Sequence, residues 1–94
     1  MIMFNALGHV KGFIEKYQLA ALARCDLALK FSDNTRTQCY TLGIEAYAPY
    51  VNGAYAIEYI SYPWDDYDDI ELERQVLAAL KKLDAAMAEK LHYV

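Results

Sequence analysis

Lysine and arginine are missing from residues 37 to 73, a stretch that carries eight carboxylates: Glu45, Glu58, Asp65, Asp66, Asp68, Asp69, Glu71 and Glu73. Binding to nucleic acid rests on basic side chains that displace counterions from the phosphate backbone. This part of the chain is therefore expected to make no direct nucleic-acid contact. The other residues hold nine basic and five acidic groups, so the net charge of −4 averages a positive remainder with a strongly negative middle. Such a middle attracts a protein whose own surface is basic.

Other scarcities narrow the class. Four glycines and two prolines leave no low-complexity tract, repeat or linker, so residues 1–94 read as a single domain. A hydrophobic fraction of 56% is too high for a disordered chain. The N-terminal MIMFNALGHVKGFIEK has no basic leader region, and Gly8, His9, Lys11 and Gly12 interrupt its apolar residues. It reads as neither signal peptide nor membrane span, which points to a cytoplasmic protein without a membrane partner. Cys25 and Cys39 form no C-x-x-C pair and are expected as two reduced thiols.

Catalytic motifs are also missing. No phosphate loop, G-x-S-x-G or H-E-x-x-H occurs. A dyad of Cys39 with His9 or His92 needs only a meeting in space, but nothing in the spacing selects it. Asp65 and Asp68 could divide acid and base roles only if a pocket split their pKa values, whereas a helix start lowers both. Cys25, Cys39, His9 and His92 have the wrong spacing for zinc. Asp66-x-Asp68 begins a calcium-loop pattern, but the glycine of its sharp turn does not follow. The expectation is a protein with no cofactor and no metal, and not an enzyme.

What the chain does contain is clear periodicity. Leu72, Val76, Leu80, Leu83, Met87 and Leu91 recur every three or four residues, which predicts an amphipathic helix over about 68–91. Acids at its start and Lys81, Lys82, Lys90 and His92 toward its end suit the helix dipole. Leu7, Val10, Ile14, Tyr17 and Ala21 predict an N-terminal helix capped by Asn5 and ending near Arg24 or Cys25. Between them the period falls to two. Strands are expected at Leu27–Phe31 before a Ser32–Thr35 turn, at Tyr40–Ala46, and from Tyr55 to the stop at Pro63. The Asn52-Gly53 step marks the intervening loop as one that favours positive φ.

The fold class is therefore α+β: helix, three-stranded antiparallel meander, helix (αβββα), with both helices on one face of the sheet. The covered face is assigned Leu27, Leu29, Phe31, Leu42, Ile44, Ile57 and Tyr59. The open face is assigned Cys39, Thr41, Glu45, Tyr47, Ala56, Glu58, Ile60 and Tyr62. A one-residue slip of any strand would exchange its two sets.

Two features remain for function. Asp65 to Glu73 packs six carboxylates into nine residues. Asp68 and Glu71 have capping-box spacing, but six like charges exceed what a helix start needs. Seven of the nine tyrosines lie between Tyr40 and Tyr67, near the single Trp64. Strand aromatics commonly pack within the fold, yet tyrosine beside carboxylate is also the make-up of protein interfaces. The expected contact set is Glu45, Tyr47, Glu58, Tyr62, Trp64, Asp65, Asp66, Tyr67, Asp68, Asp69, Glu71 and Glu73, with Tyr50 as a further aromatic neighbour. The expected partner is a basic protein surface, for instance in a nucleic-acid-binding complex, engaged by an inhibitor that imitates phosphate charge. Small acidic phage proteins such as anti-CRISPR and anti-restriction inhibitors offer an analogy of size and charge, not of residues. The alternative is a homodimer through the open sheet face, with the acidic run serving only as a helix start.

Overall fold

The computed structural model describes residues 6–51, 53–63 and 69–92. Helix α1 (Ala6–Lys16) leads through a short 3-10 turn (Leu22–Arg24) into strands β1 (Asp26–Asn34), β2 (Cys39–Ala48) and β3 (Ala54–Pro63), and the chain closes with α2 (Asp69–His92). The strands form an antiparallel sheet in the order β1-β2-β3, and the helices pack against it. This is the expected α+β arrangement. None of the described helices is long and apolar enough to cross a membrane.

The α2 stripe is buried along its length. Leu72, Val76, Leu80, Leu83, Met87 and Leu91 join Leu42, Ile44, Ala46, Ala48 and Ile60 of the sheet in one core, completed by Val10, Ile14, Leu19, Ala21 and Leu22. α2 lies mainly over β3, while α1 sits at the β1 side. Leu22 N–H donates to Asp84 Oδ1 at 3.0 Å, so a side chain from the middle of α2 caps the 3-10 turn.

Helix α1 stops well before the expected Arg24. Gln18 takes φ 56°, Leu19 N–H bonds the Ile14 carbonyl at 3.0 Å and Gln18 N–H approaches that of Glu15 at 3.4 Å. These are the paired bonds of a Schellman ending, with Leu19 folded back beside Ile14 in the core. Glutamine in place of the usual glycine leaves no stop signal in the sequence. Tyr17, expected on the core stripe, is exposed, with the Lys16 ammonium 5.2 Å above its ring. Asn5 lies outside the described residues.

Strand β1 runs through Ser32 and Asp33 to Asn34, and the turn falls at Thr35–Gln38. The Asn34 side chain sets it by accepting from the N–H groups of Arg36 (3.0 Å) and Thr37 (3.3 Å), an Asx turn, and Gln38 completes it at φ 54°. Gly53 has the expected positive φ, 65°, while Asn52 lies outside the described residues.

β1 and β2 face as expected, except that Phe31 is 52% exposed and so is left uncovered, but β3 is inverted. Ladder pairing of Leu42 with Ile60, Ile44 with Glu58, Ala46 with Ala56 and Ala48 with Ala54 puts the even positions of β3 on the covered side. Tyr55, Ile57 and Tyr59 take the open side. The cause is the room left under α2: Ala54 and Ala56 let the helix approach the sheet, whereas tyrosine rings there would hold it off. On the open side the same rings keep their hydroxyls in water.

Candidate functional site

Four successive rows of the open face, read across β1, β2 and β3, make up the candidate site, short of the end row of Asn34, Cys39 and Pro63. Asp26, Tyr47 and Tyr55 form the first row, followed by Ala28, Glu45 and Ile57, then Lys30, Gly43 and Tyr59, then Ser32, Thr41 and Ser61. Tyr47, Tyr55 and Tyr59 are 44%, 43% and 62% exposed. These values mark tyrosines lying along the sheet, neither packed in a core nor wholly free.

Three of these rows have a local cause. Gly43 has no side chain, and the Tyr59 ring fills the gap: a Cβ built on Gly43 would stand 3.0 Å from Tyr59 Cε1 and 3.2 Å from Cδ1. An aromatic laid across a strand glycine restores the cover the glycine lacks. In the last row, Thr41 Oγ1 and Ser61 Oγ are 3.3 Å apart. In the second row, the small Ala28 beside Glu45 leaves a notch of about 360 Å3, lined by Asp26, Leu27, Ala28, Glu45, Tyr47 and Tyr55.

Charge on this face centres on Glu45. Its carboxylate is largely enclosed, with Lys30 Nζ 2.9 Å from Oε1, and the lysine side chain is itself 67% exposed. That oxygen is closed off from water, and its near partner is the Lys30 ammonium, whose pKa is raised first by the hydrogen bond to Glu45 and then by the Glu45 charge. The Tyr55 phenol pKa is raised, first by loss of solvent, then by the Glu45 charge and by the hydrogen bond it makes to that carboxylate.

The expected contact residues do not form one patch. Glu45 and Tyr47 are neighbours on the open face, with Tyr50 nearly fully exposed in the loop just beyond. Glu58 pairs with Ile44 on the covered side and does not accompany Glu45, while Tyr62 pairs with Tyr40 in the ladder and its side chain lies outside the described residues. Pro63 ends β3 eight residues from Tyr55, about 26 Å along the strand. β3 thus ends on the side of the sheet away from Tyr47. Trp64, Asp65, Asp66, Tyr67 and Asp68 lie outside the described residues, as does the side chain of Asp69.

Of the acids at the start of α2, Glu73 is exposed, and Glu71 is held by its own helix. The Arg74 guanidinium binds both Glu71 oxygens, and Gln75 donates to Oε1 at 3.2 Å. Those hydrogen bonds, Arg74 first and Gln75 second, pull the Glu71 pKa down from 4.5 to about 2. The capping box expected of Asp68 and Glu71 therefore has its glutamate directed along the helix.

Both thiols are free. Cys25 Sγ lies 3.2 Å from the Ala21 carbonyl, and burial pushes its pKa up, with Asp84 and Asp26 adding to the rise and Arg24 opposing it. A thiol held neutral is a poor nucleophile. Cys39 Sγ lies 3.4 Å from the Thr37 carbonyl at the opposite end of the sheet.

Tyr55, Tyr59 and Lys30 are the open-face residues that sequence reasoning missed. For the two tyrosines the signal is the Ala54-x-Ala56 pair, flat ground for a helix on one side of β3, while Lys30 follows from the alternation of Leu27, Leu29 and Phe31 on β1. Comparison with protein families, curated proteins and solved structures yields no match to this chain.

Proposed function

We propose that this protein is a small interaction module that works by contact and not by catalysis, docking its tyrosine- and carboxylate-bearing surface onto a basic protein partner. The observation that carries this reading is the open sheet face, where Tyr47, Tyr55 and Tyr59 lie exposed around the enclosed Glu45. Rigid tyrosines give contact area for little lost side-chain freedom, and carboxylates beside them favour a cationic partner. The basic-free stretch from 37 to 73 supports the same polarity of partner. In its sharpest form the module is an inhibitor that fills a nucleic-acid-binding groove, in the manner of phage-encoded anti-CRISPR or anti-restriction proteins acting in the cytoplasm.

The test is capture of partners from the source cell at low and high salt, followed by reconstitution with the purified partner and competition against duplex DNA. Wild type is compared with Tyr47→Ala/Tyr59→Ala and with Asn at 65, 66, 68 and 69, each shown to be folded. The reading requires a basic partner released by salt, displaced by DNA and lost with the double tyrosine variant. Equal binding by all three proteins would sink it.

A homodimer through the same face is the second reading. Lys30 and Glu45 place both charge signs in one patch, so two copies related by a two-fold axis would exchange ion pairs. Light scattering across a dilution series separates the two, because a monomer at every concentration removes the dimer.

A further inference from the structure

We propose that the notch walled by Tyr47, Glu45 and Tyr55 and floored by Ala28 is the seat for one arginine side chain of the partner, and that Lys30 holds its place in the free protein. This deepens the proposed function and rests on it for the partner's basic character.

Four observations converge on a cation of this shape. The notch brings two carboxylates, Asp26 and Glu45, together with two tyrosines in one concavity of about 360 Å3. That volume is at the small end of ligand sites and suits a single long side chain. The Glu45 oxygen nearest Lys30 is closed to water and meets there the ammonium of an exposed, flexible side chain at 2.9 Å. A buried acceptor in that state gains from a donor able to aim at it. The tyrosines supply aromatic surface for a cation, which guanidinium uses better than ammonium because it is planar and less strongly hydrated. A guanidinium also presents a fork of N–H donors, while a lysine ammonium acts as a point charge.

Lys30 is what makes the assignment specific. Its side chain reaches Glu45 from the neighbouring row while remaining 67% exposed, so it is held by the ion pair and little else. An incoming arginine must displace it. Lys30 is then an internal competitor, and its removal should strengthen binding. If Lys30 served only to stabilise the sheet, its removal would leave binding unchanged or weaken it.

The experiment uses the whole chain and two capped tripeptides, Gly-Arg-Gly and Gly-Lys-Gly, each with one cation. Affinity then reports one seat and not overall charge. Binding is followed by 15N NMR titration. The expected result is saturable shifts centred on Asp26, Ala28, Glu45, Tyr47 and Tyr55, with the arginine probe several-fold tighter than the lysine probe. Lys30→Ala should tighten the arginine probe by about threefold to tenfold, and Glu45→Gln should weaken it by about tenfold or more. Tyr47→Leu, which keeps apolar bulk, should weaken it by a few-fold and erase the preference for arginine. Amide spectra that match wild type outside the notch establish that each variant is folded. Weaker or unchanged binding in Lys30→Ala overturns the proposal, as do shifts confined to the start of α2. Either outcome leaves partner capture through the open face standing, whereas loss of that capture alone would sink the function and not the seat.

Discussion

One strand of this protein has two unlike sides. Leu42, Ile44, Ala46 and Ala48 of β2 are buried under the helices, while Thr41, Gly43, Glu45 and Tyr47, alternating with them, form the middle column of an open face. On β2 the covered side is apolar and packed into the core. The open side combines a glycine, an enclosed carboxylate and flat-lying aromatic rings. Burial is thus settled on one side by packing against helices, while on the other each residue is satisfied by its immediate neighbours. Changes on the first side should act on stability, and changes on the second on binding.

The largest break is expected from Ile44→Ala. Ile44 is fully buried at the centre of the covered side, and removing its side chain leaves a cavity beneath α2. A cost of about 3 kcal/mol follows from comparable core truncations. In a domain of this size that lowers Tm by roughly 10–20 °C, measurable by thermal or urea denaturation. Tyr59→Ala on the open side should cost about 1 kcal/mol or less, since the ring is mostly exposed. Equal losses from the two variants would show that the open face is part of the core.

Asp84→Ala comes next. Asp84 ties α2 to the 3-10 turn through the Leu22 N–H, a contact between residues 62 positions apart. Loss of a capping acceptor costs about 1 kcal/mol. The readout is a lower urea midpoint together with faster amide exchange at Leu22. Wild-type exchange at that amide would place the anchoring of the turn in apolar packing alone.

This contact marks where sequence reading ends. The α2 stripe was legible because six apolar residues keep helical spacing over five turns, and the strands because the period changes to two. The Schellman ending at Gln18 was not, because backbone closure there needs no glycine. The face of β3 was not legible either: Tyr55, Ile57 and Tyr59 outweigh Ala54, Ala56 and Ile60 in bulk, and bulk is a poor guide where a helix needs close approach. The expected site was half legible. Glu45 and Tyr47 were placed together on the open face, but with the parity of β3 their neighbour changed from Glu58 to Tyr55.

Gly43→Ala probes the boundary between the two sides with a smaller effect. A methyl group there presses on the Tyr59 ring, whose exposed far end is able to swing away. Relief of glycine's unfolded-state entropy favours the variant by roughly 0.4–1 kcal/mol, and loss of the ring's cover opposes it. The stability should stay within about 1 kcal/mol of wild type while the Tyr59 ring resonances move. A larger loss with unmoved resonances would mean that Tyr59 is clamped in place and the open face is more rigid than its exposure suggests.

The smallest effect on stability is expected from Arg74→Ala, which contrasts two carboxylates. Glu71 has its hydrogen bonds from Arg74 and Gln75 on its own helix, and its pKa is lowered to about 2. A carboxyl group whose folded-state pKa is depressed stabilises the fold above its ordinary pKa of 4.5, and that contribution fades as pH falls toward about 2. Without Arg74 the Glu71 titration should move back toward 4.5, seen by side-chain carboxyl NMR, and the fall in stability between pH 4.5 and 2 should flatten. At neutral pH the unfolding midpoint should hardly move, because an exposed ion pair is screened by solvent. The arginine probe should bind Arg74→Ala as it binds wild type, since Glu71 is already satisfied and belongs to the helix layer. Glu45 differs in that its charged partner is a displaceable lysine, with the Tyr55 hydroxyl as its neutral neighbour. If Arg74→Ala bound the probe more tightly, as Lys30→Ala is expected to, the two carboxylates would be equivalent attractors, and long-range charge would replace the notch as the explanation for cation binding.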